Sequence, residues 1–451
     1  MSGARATAAA LGGLLIATVL GATTTAAGPE AGDLDKTFGK RGKVTTGLPS
    51  RVFAADAARA PNGGAYVAAN TGPAGVNLQG GRLVVLRYDR RGRLTRNFGK
   101  RGIATLSLPQ GPATVGGMAV QPDGRLVLVG SIGGMHQDLL VVRLTRSGKL
   151  DGSFADSGVQ TADFGSSYEG GADVAVQPDG SVVVAGSTGT TFPASGPVGE
   201  GFVARYRSNG SVDTQFGGGG TVILRGPAGG YFDAQALALL GDGSILVGGN
   251  SGVVSGDSNL AAVALLRSNG TPDPRLGPAG ITYPGLGNGI LRDLVLDRRS
   301  GRVYLAGSAL SQRGGGVRFF LMALEPDLSR DESFGKFGAV ESVMSGGAQG
   351  LANSAVVDGR GRILLGGTAF VSTSPRPRGS FALARFLPTG KLDKAFGHRG
   401  WVHTFFGKGW NVARALLLQS RRRLLAVGNN ASAETTETGP AVTLARYRLG
   451  R

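Results

Sequence analysis

Three carboxylates, Asp56, Asp173 and Asp293, fall in equivalent places, each inside the first apolar segment of a repeating interval. Carboxyls gathered near one another can divide the roles of general acid and general base. These aspartates are therefore the candidates for proton-transfer chemistry, with a repeated polar lining of a channel as the competing reading. Only three histidines occur, His136, His398 and His403. His398 and His403 lie close in sequence but have no evident third ligand, so they are expected to be surface residues. There is no Cys, which excludes disulfides and thiolate metal sites. Neither a glycine-rich phosphate loop before a helix, nor a nucleophile elbow, nor a calcium loop is present. The expectation is a chain with no catalytic residue, no metal site and no cofactor.

A second charged set recurs with greater regularity. Asp35, Asp151, Asp213, Asp273, Asp331 and Asp393 each stand three residues before an aromatic or Leu, namely Phe38, Phe154, Phe216, Leu276, Phe334 and Phe396. The unit around Phe98 breaks the series with Thr95. Arginines recur upstream at Arg87, Arg143, Arg205, Arg385 and Arg446. A charged ligand site in every unit is one reading. An Asp–Arg bond bracing the turn before the last strand of each unit is the preferred one, because repeated units need the same internal support. The Phe is expected to fill the space between neighbouring units.

The elements that carry these residues follow from the repeat. The motif reads LDKTFGKRG at 34–42, LTRNFGKRG at 94–102 and LDKAFGHRG at 392–400, and its central Phe or Leu recurs every 56 to 62 residues. A fixed period of this size marks a repeat architecture. Between motifs lie short runs rich in Val, Leu and Ala, such as RLVLVGS at 125–131 and LLVVRLT at 139–145, bounded by Asp-Gly, Asn-Gly or Ser-Gly. That is a strand-and-hairpin signature. Four strands per unit, repeated seven times, predict an all-β, seven-bladed β-propeller of four-stranded blades. The chain begins at a motif and ends on a third strand, so the N-terminal strand, expected over Lys43–Leu48, would close the ring and cover two free sheet edges.

The LDxxFGxxG motif, the AxQPDG turn and the VAGS strand end resemble those of the bacterial delta-60 repeat family over residues 34–451. The match is weaker around Pro272–Gly280 and Arg330–Gly338. The resemblance implies a β-propeller and no settled activity.

Residues 1–27 differ from the rest: one charge at Arg5, an apolar run over Ala8–Leu20, then small residues before Gly28-Pro29. This is the order of an export signal, so the chain reads as 1–27 signal peptide, 28–33 linker and 34–451 propeller, a protein secreted or held in the cell envelope. The net charge is +18. Such a charge suits anionic polymers, although no motif for specific nucleic-acid binding is present.

Loops between second and third strands, and between fourth and first, vary and share one face. They carry Phe164, Tyr168, Phe192, Tyr231, Phe232, Tyr283, Phe370, Phe405, Phe406 and Trp410. The opposite face carries Arg90-Arg91, Arg298-Arg299 and Arg421-Arg422-Arg423. The first expectation is a monomeric, non-enzymatic propeller that binds a protein or glycan through the variable face, using Tyr231, Phe232, Phe405, Phe406 and Trp410. The alternatives are a polysaccharide lyase or hydrolase using the channel carboxylates, and an envelope protein holding anionic polymer on the arginine-rich turns.

Overall fold

The computed structural model describes residues 30–450 except 73–80, 190–198, 228–229, 253–259, 286–288, 311–315, 343, 345–347, 371–378, 408 and 432–439. The expected signal segment and Phe192 lie outside the described residues.

The fold is an all-β propeller. Five sheets have four strands each. They are Arg51–Arg59, Ala65–Gly72, Arg82–Tyr88, Ile103–Leu106; Tyr231–Leu239, Ile245–Gly252, Leu260–Leu266, Ile281–Thr282; Gly289–Leu296, Val303–Leu310, Val317–Leu324, Ala339–Ser342; Gln349–Val357, Ile363–Phe370, Gly379–Phe386, Trp401–Thr404; and Trp410–Ser420, Arg423–Ala431, Ala441–Arg448, Lys43–Thr46. The sixth sheet has eight strands. It joins the meander Ala113–Val120, Leu126–Gly133, Gln137–Leu144, Val159–Ala162 to the meander Tyr168–Val176, Val182–Gly189, Gly201–Tyr206, Thr221–Leu224.

The expectation of a seven-bladed ring of separate four-stranded sheets is therefore corrected to five four-stranded blades and one eight-stranded sheet. The cause is a parallel pairing of Tyr168 with Gln137, where the Gln137 N–H donates to the Ser167 carbonyl at 3.2 Å. Strand periodicity reports which residues form strands, but not whether two neighbouring edges meet and bond.

Local chemistry explains the turns between first and second strands. Asp123 Oδ1 accepts the Arg125 N–H at 2.9 Å, and Gly124 takes φ +82°. Asp179 and Asp242 accept from Ser181 and Ser244 in the same way. An Asp side chain that stands in for the backbone acceptor, followed by a glycine free to adopt positive φ, is a tight-turn solution.

The motif ties each unit to the next. Arg143 Nε donates to Asp151 Oδ2 at 2.7 Å, Arg205 to Asp213 at 2.7 Å and Arg385 to Asp393 at 2.8 Å, while Arg446 Nη2 reaches Asp35 Oδ2 at 3.1 Å. In each case the guanidinium also lies over the motif ring, 4.6 to 4.7 Å from the centroids of Phe154, Phe216, Phe396 and Phe38. Its Nη1 donates to a turn carbonyl of the following unit: Ser208, Ser268, Leu449 and Arg90 respectively. The motif Phe is fully buried at Phe38, Phe98, Phe154, Phe216, Phe334 and Phe396. Gly210 of the next turn packs so closely that an added Cβ would meet the Phe154 ring at 3.0 Å. The Asp–Arg pair is thus a clamp between units as well as a brace within one.

Two units lack the strand arginine, with Leu265 and Ala323 in its place, and each finds another. Asp273 pairs with Arg275 and Asp331 with Arg302, both at 3.1 Å.

Closure uses both ends of the chain. Lys43–Thr46 pairs antiparallel with Ala445–Val442, Gly32 N–H donates to the Arg448 carbonyl at 2.8 Å, and Arg448 N–H donates to Asp33 at 2.9 Å. Asn429 Oδ1 then accepts the Ala54 N–H at 3.0 Å, linking the last sheet to the first. Deletion of Asp33–Leu48 is expected to expose the Ala441–Arg448 edge and give a lower Tm with faster proteolysis of the last sheet; an unchanged Tm would contradict this closure. In a double-mutant cycle, Asp213→Ala and Arg205→Ala are expected to couple by about 1–3 kcal/mol. Additive effects in urea denaturation would show that the contact carries no energy.

Candidate functional site

The innermost strands place the three candidate carboxylates. Each first strand contacts the first strand of the next unit, and Arg51–Arg59 meets Trp410–Ser420 to complete the circuit. Asp56, Asp173 and Asp293 each follow a register shift in such a strand, between Ala54/Asp56, Gly171/Asp173 and Leu291/Asp293. A bulge bends the strand and re-aims the side chain beyond it. The result is the same in all three. Oδ1 accepts the N–H of the next residue, Ala57, Val174 or Leu294, at 2.7 Å. Oδ2 crosses to the neighbouring innermost strand and accepts from Met118, Leu237 or Ala355 at 2.7 to 2.8 Å. Ser354 continues the pattern by accepting the Leu416 N–H at 3.1 Å.

These carboxyls keep some exposed surface yet sit deep in the protein mass. That depth, more than any other cause, raises Asp56 and Asp293 to about 7 and Asp173 to about 6, and the negative charge of Asp173 adds to the rise at the other two. Groups titrating near neutrality can exchange protons at pH 7. Here both oxygens of each carboxyl hold backbone amides, which braces adjacent strands around the axis.

The remaining sequence candidates divide by environment. Phe232 is fully buried, and Phe406 packs on Phe381 with centroids 4.9 Å apart. Trp410 is half-buried against Phe370 at 5.4 Å, and Tyr231 is half-buried. Phe405 is 49% exposed, and its carbonyl accepts from Lys43 Nζ at 3.0 Å. Phe164 lies against Phe202 at 4.9 Å. Much of the aromatic surface on the variable face therefore packs against the sheets. His403 Nδ1 lies 3.1 Å from Ser380 Oγ and its ring stacks on Trp401, and both His403 and His398 are exposed, as expected of surface histidines.

Two concavities open on the opposite face. One, of about 770 Å³, is lined by Asp35, Arg421, Arg422, Arg423 and Arg448. Asp35 carries Arg423 at 3.0 Å, Arg446 at 3.1 Å and Arg448 at 3.8 Å. Among the described residues, no ion pair engages the exposed Arg421 and Arg422. The other, of about 530 Å³, is lined by Tyr66, Arg87, Asn97, Asp123 and Arg146.

This second concavity is where the motif is broken. Thr95 replaces the Asp, and its hydroxyl reaches only the Arg87 carbonyl, at 3.4 Å. Among the described residues Arg87 has no carboxylate partner. Its guanidinium lies over the Tyr66 ring at 5.4 Å instead of over the motif residue Phe98. Tyr66 in turn packs on Phe98 at 5.4 Å. The sequence signal was Thr95 in the Asp position, while the strand pairing sets Tyr66 opposite Arg87. Only the structure shows that they open onto a cavity.

A family model agrees with the propeller fold. Residues 121–154, 177–216, 240–275 and 299–334 match a family described as a beta-propeller domain of unknown function, DUF5122. No curated protein sequence matches the chain. Among solved structures, a protein of unknown function from Dyadobacter fermentans is 12% identical, with 90% of this chain and 98% of that one covered and a TM-score of 0.46. The polysaccharide lyase Uly1 is 9% identical, with 90% and 99% covered and a TM-score of 0.46. The propeller domain of the Trilobed protease from Pyrococcus furiosus is 8% identical, with 90% and 97% covered and a TM-score of 0.44.

The axial carboxyls generate a pH dependence with a definite sign. Their folded values lie above the ordinary carboxyl value, so between about pH 4 and about pH 7 the folded chain holds protons that the unfolded chain has lost. Stability is expected to fall as pH rises through that window, by on the order of a few kcal/mol, and to level off above it. The clamp aspartates act oppositely. Burial alone would raise Asp151, but hydrogen bonds from Ser153 and the charges of Arg143 and Arg125 outweigh it and hold it low. Its contribution is lost as pH falls below about 4. Tm measured from pH 3 to pH 8 is expected to peak on the acid side of neutrality, and Asp293→Asn is expected to flatten the decline between pH 4 and 7. An undiminished slope in that variant would remove Asp293 as its source.

Proposed function

We propose that this β-propeller is a non-enzymatic binding protein that holds an anionic polymer on its arginine-rich turn face. The observation that carries this reading is Arg87. In four other units the corresponding arginine is neutralised by the motif Asp. Here Thr95 leaves the guanidinium facing a cavity of about 530 Å³, beside Arg146. A carboxylate, sulfate or phosphate of a ligand would take the position that the Asp side chain fills elsewhere, and a guanidinium is suited to bind any of these bidentately. The Arg421–Arg423 concavity supplies a second cluster of the same sign on the same face, and the net charge of +18 favours approach of a polyanion. The variable face has less support, because Phe232, Phe406 and Phe164 are committed to packing.

This reading carries three further proposals. The repeats are delta-60-like, residues 1–27 export the protein, and it works as a monomer at the cell envelope, where anionic polymers are its partners.

Retention on immobilised polygalacturonate and polyphosphate tests the proposal. Wild type is expected to bind and to release as salt rises. Replacing Arg421, Arg422 and Arg423 by Gln, or Arg87 by Gln, is expected to weaken retention several-fold. Thr95→Asp is expected to restore the clamp, raising stability by roughly 0.5–1 kcal/mol while weakening binding at that cavity. Salt-insensitive retention, or retention unchanged in both arginine variants, would overturn the assignment of the face.

A further inference from the structure

The two meanders of the eight-stranded sheet bring three carboxylates together. Asp138 comes from strand Gln137–Leu144, Asp163 from the loop after Val159–Ala162, and Glu169 from strand Tyr168–Val176. One carboxylate oxygen of each lies within 4.8 Å of the others. Asp138 is distant in sequence from Asp163 and Glu169, and the three follow no calcium-loop spacing, which is why the sequence alone predicts no metal site.

Glu169 sets this cluster apart from an ordinary acidic patch. It has 0% exposure. Its Oε1 accepts the Ser166 N–H at 2.8 Å, but its buried Oε2 has no hydrogen-bond partner among the described residues. A buried carboxylate oxygen without a donor is costly, and two further carboxylates beside it add repulsion. Burial first, then the charges of Asp163 and Asp138, push the Glu169 carboxyl up. The protein carries a net charge of +18, yet among the described residues no arginine is paired with these three acids.

We propose that Asp138, Asp163 and Glu169 bind a divalent cation of the calcium class, which pins the two meanders together beside the Tyr168–Gln137 pairing. The donors are all oxygens, the preference of a hard cation. Oxygens bound to Ca²⁺ at about 2.4 Å are at most about 4.8 Å apart, so the cluster can share one such ion, and the variable geometry of Ca²⁺ suits a site assembled from two strands and a loop better than the strict octahedron of Mg²⁺. The loop is preset for this task. Asp163 Oδ1 accepts the Gly165 N–H at 2.7 Å, and Gly165 has φ +86°, so the loop curls back towards Glu169. One oxygen each of Asp163 and Glu169 is held by an amide, which leaves the other for the ion. Water and backbone carbonyls complete the shell in sites of this kind.

The full chain, stripped with EDTA and dialysed, is titrated with CaCl2 by calorimetry and followed by thermal denaturation. The expected result is one equivalent of Ca²⁺ bound and a higher Tm in Ca²⁺ than in EDTA, with a smaller shift in MgCl2. Asp163→Asn, at an exposed position, is expected to fold normally and weaken Ca²⁺ binding at least about tenfold. Glu169→Gln is expected to raise the Tm in EDTA, because a buried unpaired charge is removed, and to abolish the response to Ca²⁺. Equal Tm in Ca²⁺ and EDTA without binding heat overturns the proposal, as does wild-type affinity in Asp163→Asn.

Discussion

One guanidinium does two jobs in most units, and the ring depends on it. In four of them the strand arginine lies over the motif Phe, bonds the motif Asp, and donates to a carbonyl in the turn of the following unit. The ring face and the carboxylate satisfy the same charge from two sides, so the arginine can be buried, as Arg385 is at 1% exposure. Because its remaining donor crosses to the neighbour, none of these four units has its clamp complete until the next is in place. This is how nearest-neighbour coupling arises in a repeat fold. The axial aspartates supply a second link of the same kind, each tying one innermost strand to the next through a backbone amide.

Departures from the clamp separate structural substitution from functional exposure. Where the strand arginine is missing, Arg275 and Arg302 come from other positions to neutralise Asp273 and Asp331. The acid is already buried, and leaving it unpaired would be costly. At Thr95 the opposite change occurs. The acid is lost, and the partly exposed arginine leans on Tyr66 where both line a cavity. An exposed guanidinium tolerates this because water solvates it, so a unit can give up its brace there and keep its fold.

The two faces differ because their loops are built differently. Turns between first and second strands and between third and fourth strands are short, closed by Asp or Asn side chains and glycine, and leave long basic side chains projecting around shallow concavities. The longer loops on the other face carry aromatics that fold back onto the sheets, since an aromatic ring gains more from packing than from standing in water.

The sequence by itself determined the repeat, the strands, the closing role of the N-terminal strand and the pairing of Asp151, Asp213, Asp393 and Asp35 with their arginines. All of these are written as residue types at a regular spacing, and local periodicity reports them directly. Tertiary structure alone decided what depends on contacts between units. It merged two meanders into one eight-stranded sheet through Tyr168 and Gln137. It committed Phe232 to the core and gave Asp56, Asp173 and Asp293 partners on neighbouring strands. It also gathered Asp138, Asp163 and Glu169 into one cluster. Such contacts are set by how sheet edges and loops from different units pack together, and the spacing of residues within a single unit does not encode them.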